Sequence, residues 1–321
     1  MSGGELLAAD LKRFLIARAH EECFDLVGVA KPGAAEDQLP LLVAWLARGN
    51  AAGMDYLARD PAKRCDARAL LPGCRSVVVG AMSYHFGDAA PGAGQVRIAR
   101  YAQGEDYHHV LRERMTAVGE HLRSLAPAES YVVTVDTSPI LEKAYAVAAG
   151  IGFRGRNTLV VNPAHGSHFL LALLLTTAQL PADATLNASC GDCDACLRAC
   201  PTGALSAPGV LDARLCLSYL TTGSKEPLDQ ATDLHGWLFG CDACQEACPY
   251  NSRPLAGRER RLAPLRACSN LTPGQVCAMD ERKFDRLLGG TAMHHRGLGN
   301  LQCAACCLAA AGSEGYAADD V

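Results

Sequence analysis

The stretch Cys190-Gly-Asp-Cys193-Asp-Ala-Cys196-Leu-Arg-Ala-Cys200-Pro201 decides how this chain is read. Its spacing is C-x2-C-x2-C-x3-C-P, the run that carries [4Fe–4S] clusters in bacterial ferredoxins. Three closely spaced thiolates wrap one cubane, and the fourth, before proline, serves a second cluster. A second run follows, Cys241-Asp-Ala-Cys244-Gln-Glu-Ala-Cys248-Pro249, but Leu238 stands where its first cysteine belongs. Cys216, in Leu215-Cys216-Leu217-Ser218, is the available replacement. Exchanging the two Cys-Pro thiols predicts one cluster on Cys190, Cys193, Cys196 and Cys248, and another on Cys200, Cys216, Cys241 and Cys244. Zinc sites more often show two C-x2–4-C pairs, without runs that each end in Cys-Pro.

Around these runs lies a globular composition. The chain has 321 residues, 49% hydrophobic and 20% charged, with 16 cysteines. That is enough apolar sequence for a full core without disulfide staples. The remaining thiols, Cys23, Cys65, Cys74, Cys268, Cys277, Cys303, Cys306 and Cys307, read as buried free cysteines. Cys303-x2-Cys306-Cys307 lacks a fourth nearby ligand. Leu7, Leu11, Phe14 and Leu15 recur at helical spacing with Lys12, Arg13 and Arg18 among them. That is an amphipathic surface helix, not an export signal, and Arg13 and Arg18 make no twin-arginine pair. The apolar run Phe169–Leu175 is far below the roughly 20 residues of a membrane span. A cytoplasmic protein with no membrane partner is expected, and clustered thiols in that compartment mean metal or redox chemistry.

The net charge of -4 is uneven: residues 251–300 hold nine Lys/Arg against four Asp/Glu, a balance of +5. Arg258, Arg260, Arg261 and Arg266 are its densest part, read either as a solvated face or as a phosphate-contacting surface.

Upstream of the cysteines, helix-like and strand-like patterns alternate. Ser76–Ala81, Tyr131–Val135 and Phe169–Thr177 read as strands. Ser138-Pro139 reads as a helix start, with Gly150 as its stop. The expected fold is α+β: an α/β domain over residues 1–180, a two-cluster ferredoxin-like module over 181–255, and a basic helical segment over 256–321 whose acidic tail from Ala311 frays.

Gly150-Ile-Gly152-Phe-Arg-Gly155 matches G-x-G-x-x-G, yet it follows a helix, and no acidic residue appears before Asp183. A dinucleotide site is therefore rejected in favour of turns before the Phe169 strand. Asp136 lies just past a strand and before the expected helix start, a place for either a helix cap or a site residue. As a proton donor it would need burial or a neighbouring anion to raise its pKa. Tyr101–His109 concentrates Asp106, Tyr107, His108 and His109. Asp106-x-His108 opens the D-x-H-x-x-G motif of some cobalamin enzymes, but position 111 is Leu111, so no histidine lower ligand to a corrinoid is indicated.

With these residues in view, the chain resembles the epoxyqueuosine reductases over roughly residues 10 to 300. The resemblance rests on Gly53-Met54-x-Tyr56-Leu57-x-Arg59, Pro72-x-x-Arg75-Ser76-Val77, Arg100-Tyr101-x-x-Gly104-x-Asp106-Tyr107-His108, Asp136-Thr-Ser-Pro139, Gly155-Arg156-Asn157-Thr158 and Cys216-x-Ser218-Tyr219-Leu220-Thr221. It implies that the two clusters pass single electrons to base-off cobalamin, which reduces epoxyqueuosine in tRNA to queuosine. It implies Asp136 as proton donor, with Asp106 and His108 behind it, and corrinoid contacts at Arg59, Ala99, Asn157 and Ser218. It further implies an external one-electron donor, a monomer, and a short HEAT-like C-terminal segment contacting tRNA. That segment diverges, with Asn300-Leu301-Gln302-Cys303 and His294-His295 where the family carries basic residues. The competing expectations are a corrinoid reductive dehalogenase, which usually carries a twin-arginine signal, and a ferredoxin-like electron carrier, which would not need so large a first domain.

Overall fold

The β-branched run Val77-Val78-Val79 favours extended chain and sits in a fully buried strand, Ser76–Ser83. Its alternate side chains serve different cores. Val78 and Met82 pack under the helices Ala8–Glu21 and Tyr107–Leu125, while Val77, Val79 and Ala81 face the helix Glu142–Ala148. Residues 7–87, 92–224, 226–229 and 231–312 are described by this computed structural model. The sheet order is Leu26–Ala30, Ser76–Ser83, Phe169–Thr176, Tyr131–Thr134, and every pairing is antiparallel. The helix–strand alternation expected from the sequence is present, but the sheet is not the parallel one that a strict α/β domain would have.

Two further differences have local causes. Leu26–Ala30 is a strand that its central Gly28 conceals; a Cβ there would collide with the carbonyl of Ala149. The helix expected from Ser138 begins only at Glu142, because Thr137 N–H donates to Val135 O at 2.6 Å and Ile140 N–H to Ser138 O at 2.8 Å. These tight turns use Ser138-Pro139 in a bend, while Gly150, at φ +73°, does end the helix. In the first helix Leu11, Leu15 and Ala19 are core residues, whereas Leu7 and Phe14 face solvent.

The cysteine-rich region carries the short helices Ala195–Arg198, Leu217–Thr222 and Ala243–Glu246. Its strand Trp237–Phe239 pairs in parallel with Arg97–Ile98 of the first domain. Leu238, at the motif's missing cysteine, is fully buried there. One continuous core joins Val96, Ile98 and Ala99 to Leu217 and Trp237 and to Phe284, Leu301 and Ala305 of the C-terminal helices. Packing therefore crosses both sequence boundaries, near 180 and near 255. The C-terminal helices are Pro273–Cys277, opened by a Thr272/Gln275 capping box, Glu281–Leu288 and Leu298–Gly312. Of the tail expected to fray, Ala311 and Gly312 close this last helix, and the rest lies outside the described residues.

Candidate functional site

The eight motif thiols sort into two cavities. Cys190, Cys193, Cys196 and Cys248 line one of about 220 Å³. Cys200, Cys216, Cys241 and Cys244 line another, of about 420 Å³. These are the two sets obtained by exchanging the Cys-Pro residues. Burial pushes the Cys241 thiol up to about 12 and raises Cys216 and Cys244 as well. Bare thiolates are thus disfavoured here, and a metal cluster is the partner that would hold them deprotonated. Sulfur-only donors in fours suit iron–sulfur chemistry. The backbone N–H of Arg156 also donates to Cys190 Sγ at 3.5 Å, the kind of contact that tunes a cluster.

The larger cavity is also walled by residues from the first 180 of the chain. Asp136, Glu142, Lys143 and Tyr107 line it, as do Asn157 and Ser218. Asn157, at the tip of the hairpin Phe153–Arg154/Val160–Val161, lines both thiol cavities. No histidine lines the larger cavity among the described residues, so its walls suit a corrinoid without an imidazole ligand. Two other expected contacts lie apart. Ala99 is fully buried, beside Gly240, and Arg59 is exposed; neither is on this wall.

Asp136 does not cap a helix. It stands at φ +55°, in the left-handed region, at the turn after the Tyr131–Thr134 strand. Its backbone N–H donates to Glu142 Oε1 at 2.7 Å, and its Oδ2 lies 3.1 Å from His108 Nε2. The side chain remains 58% accessible because it faces the cavity, and protein surrounds it elsewhere. His108 is held from its other side: Asp106 Oδ1 accepts from its backbone N–H at 3.0 Å and meets Nδ1 at 2.7 Å. Asp106 is the helix N-cap, and its second oxygen lies 2.6 Å from His295 Nε2. The ring of Tyr107 stacks on His108 at 4.0 Å, and its hydroxyl donates to Asp136.

These contacts set the protonation states. Burial opposes a charge on His108, but the hydrogen bonds to Asp106 and Asp136 outweigh it and bring its pKa up to about 9. The His108 hydrogen bond holds Asp136 below the usual carboxylate range, against the effect of burial. Asp106 is also lowered: the hydrogen bonds from His108 and His295 prevail over burial. Glu142 goes the other way, to about 8, from burial and then the charge of Asp136. At neutral pH the protons sit on His108 and Glu142, with an ionised Asp136 between them. The sequence reading brought Asp136, Asp106 and His108 together but gave no role to Tyr107, Glu142 or His295. Only the fold places His295, almost 190 residues downstream, against Asp106.

The basic segment divides. Arg258 pairs with Asp25 at 2.8 Å, and Arg261 pairs with Glu105 at 3.0 Å and Glu113 at 2.9 Å, so both serve the fold. Arg260, Arg266, Arg282 and Arg286 are exposed.

A helix-and-sheet domain whose cavity is closed by half of a two-cluster module is the architecture of an iron–sulfur oxidoreductase. Residues 189–251 match the family model described as a 4Fe-4S double cluster binding domain, and residues 64–137 match epoxyqueuosine reductase QueG. An epoxyqueuosine reductase of Synechococcus sp. (strain CC9605) is 37% identical over 290 residues, 88% of this chain and 89% of that one. That of Escherichia coli (strain K12) is 35% identical over 283 residues, 85% of this chain and 74% of its own. A crystal structure of epoxyqueuosine reductase with an epoxyqueuosine-modified tRNA-Tyr stem loop superposes with a TM-score of 0.85 at 30% identity, over 94% of this chain and 81% of that one. This chain belongs to the epoxyqueuosine reductase family.

Proposed function

We propose that this chain reduces epoxyqueuosine to queuosine in tRNA, drawing single electrons from an external donor through two [4Fe–4S] clusters to base-off cobalamin. One observation carries the reading: in a chain of this family, the second thiol set and Asp136 line the same cavity. Cys190, Cys193, Cys196 and Cys248 hold one cluster, and Cys200, Cys216, Cys241 and Cys244 the other. Asn157 and Ser218 contact the corrinoid. Ala99, off the cavity wall, acts by backing Gly240 beside Cys241; Arg59, exposed and also off that wall, is kept as a corrinoid contact. Bound cobalamin supplies the reducing chemistry at the epoxide.

The chain's own residues supply the acid. His108 stores a proton, and Asp136, between His108 and the cavity, passes it to the epoxide oxygen. Asp106 keeps His108 charged and fixes its ring. Residues 1–180 act as the corrinoid domain, 181–255 as the cluster module and 256–321 as a short HEAT-like tRNA contact. In the last, Arg282 and Arg286 lie one helical turn apart, away from buried Phe284 and Leu288. We take the protein as a cytoplasmic monomer; among the described residues no helix is long and apolar enough to cross a membrane. The test is to incubate reconstituted protein, cobalamin and a reductant with epoxyqueuosine tRNA, then assay its nucleosides. Queuosine is expected. Its absence, with an organohalide reduced instead, overturns the reading in favour of a dehalogenase; a chain that takes up no cobalamin favours an electron carrier.

A further inference from the structure

We infer that Glu142 is a second proton-donating residue of this site, delivering the proton that lets the epoxide oxygen leave as water. The inference rests on the proposed reaction and deepens it. Converting an epoxide to an alkene breaks both C–O bonds, forms one C=C bond and consumes two electrons and two protons. The clusters and cobalamin of the proposed reaction supply the electrons. The first proton, from His108 through Asp136, goes to the oxygen as one C–O bond opens. The second must reach the same oxygen as the other C–O bond breaks. By then His108 has given up its proton through Asp136, and the second proton calls for another acid on the cavity wall.

Glu142 meets that requirement by position. It opens the Glu142–Ala148 helix, half-buried, and lines the same cavity as Asp136. Its Oε1 accepts the Asp136 N–H at 2.7 Å, which ties the two carboxyls to one geometry. Asp136, Lys143 and His108 are the charged groups that act on it. Burial and the Asp136 charge keep its proton in place until about pH 8, whereas Lys143 and His108 pull the other way. Lys143 is the rival donor on this wall.

Glu142→Gln separates the two roles, because its amide oxygen can still accept the Asp136 N–H while the acid is gone. Single-turnover queuosine formation is measured from about pH 6 to about pH 10 in wild type, Glu142→Gln, Glu142→Asp and Lys143→Met, with iron and bound cobalamin counted in each. Glu142→Gln is expected to slow turnover at neutral pH by at least roughly tenfold and to abolish the fall in rate near pH 8. Glu142→Asp should recover part of the rate. Infrared difference spectra of wild type should lose a protonated-carboxyl band with a midpoint near pH 8, and Glu142→Gln should lack that band. A wild-type rate and profile in Glu142→Gln, or loss of the fall near pH 8 in Lys143→Met instead, overturns the inference. A wild type that forms no queuosine counts against the proposed function, and the infrared band then still decides whether Glu142 holds the proton.

Discussion

The two thiol cavities are built from near-repeats of one motif but open onto different surroundings. The cavity of Cys190, Cys193, Cys196 and Cys248 is small, its Cys193 is exposed, and among the described residues its wall carries no carboxylate side chain. The cavity of Cys200, Cys216, Cys241 and Cys244 is nearly twice as large and shares its wall with Asp136, Glu142 and Lys143. The same local sequence thus yields one site with an exposed thiol and one in contact with the acid residues. Asn157 stands on the wall of both. The lesson is that the thiol spacing selects the cofactor, whereas the domain packed against each set selects what that cofactor does.

The strongest way to break this contrast is Cys244→Ser. It should remove about half the iron and bring queuosine formation below detection; a fully active variant with half the iron would show that the inner set is not on the electron path. Next comes Asp136→Asn, expected to keep iron and cobalamin yet lose roughly 10²- to 10⁴-fold in turnover, the range of a general acid. A variant with ordinary turnover would leave Asp136 without a role in proton delivery. The pH dependence follows with its sign. Both proton stores must be protonated, and their raised pKa values are about 8 for Glu142 and about 9 for His108. Activity should therefore fall as pH rises through 8 to 9, while the lowered pKa values of Asp106 and Asp136 predict no acid-side loss near pH 6. A rate that keeps climbing above pH 9 would contradict this order. The smallest effect is expected at Cys268, a buried thiol outside both sets. Cys268→Ala should cost about 1 kcal/mol of stability with iron content unchanged, and a loss of iron would mean that the division of the cysteines is misdrawn.

How much of this was legible in the sequence depends on the range of the interaction. Thiol spacing is a local property, so both four-cysteine sets could be grouped from the chain alone. Three of the four sheet strands were visible as apolar runs. The fourth was hidden by Gly28, which is there because the Ala149 carbonyl leaves no room for a side chain. Ser138-Pro139 misled because the same residue types open helices and make turns. Glu142 and His295 were unreadable as site residues, since each gains its meaning from a partner that only the fold supplies. Likewise, charge counting could not separate Arg258 and Arg261, which are spent on internal ion pairs, from Arg260 and Arg266, which face solvent.

The parallel pairing of Arg97–Ile98 with Trp237–Phe239 has a consequence for biogenesis. During synthesis the earlier strand must wait for nearly 140 further residues, on the order of ten seconds of translation. Until then the inner cavity lacks Cys241 and Cys244, which follow that strand at once together with Cys248 of the other set. The nascent chain therefore stays open while most of its metal-binding thiols are already outside the ribosome, and the last three arrive with the strand that shuts it. The strand that completes the shared core and the last three cluster thiols therefore emerge in the same interval, and the C-terminal helices that fill that core come after them.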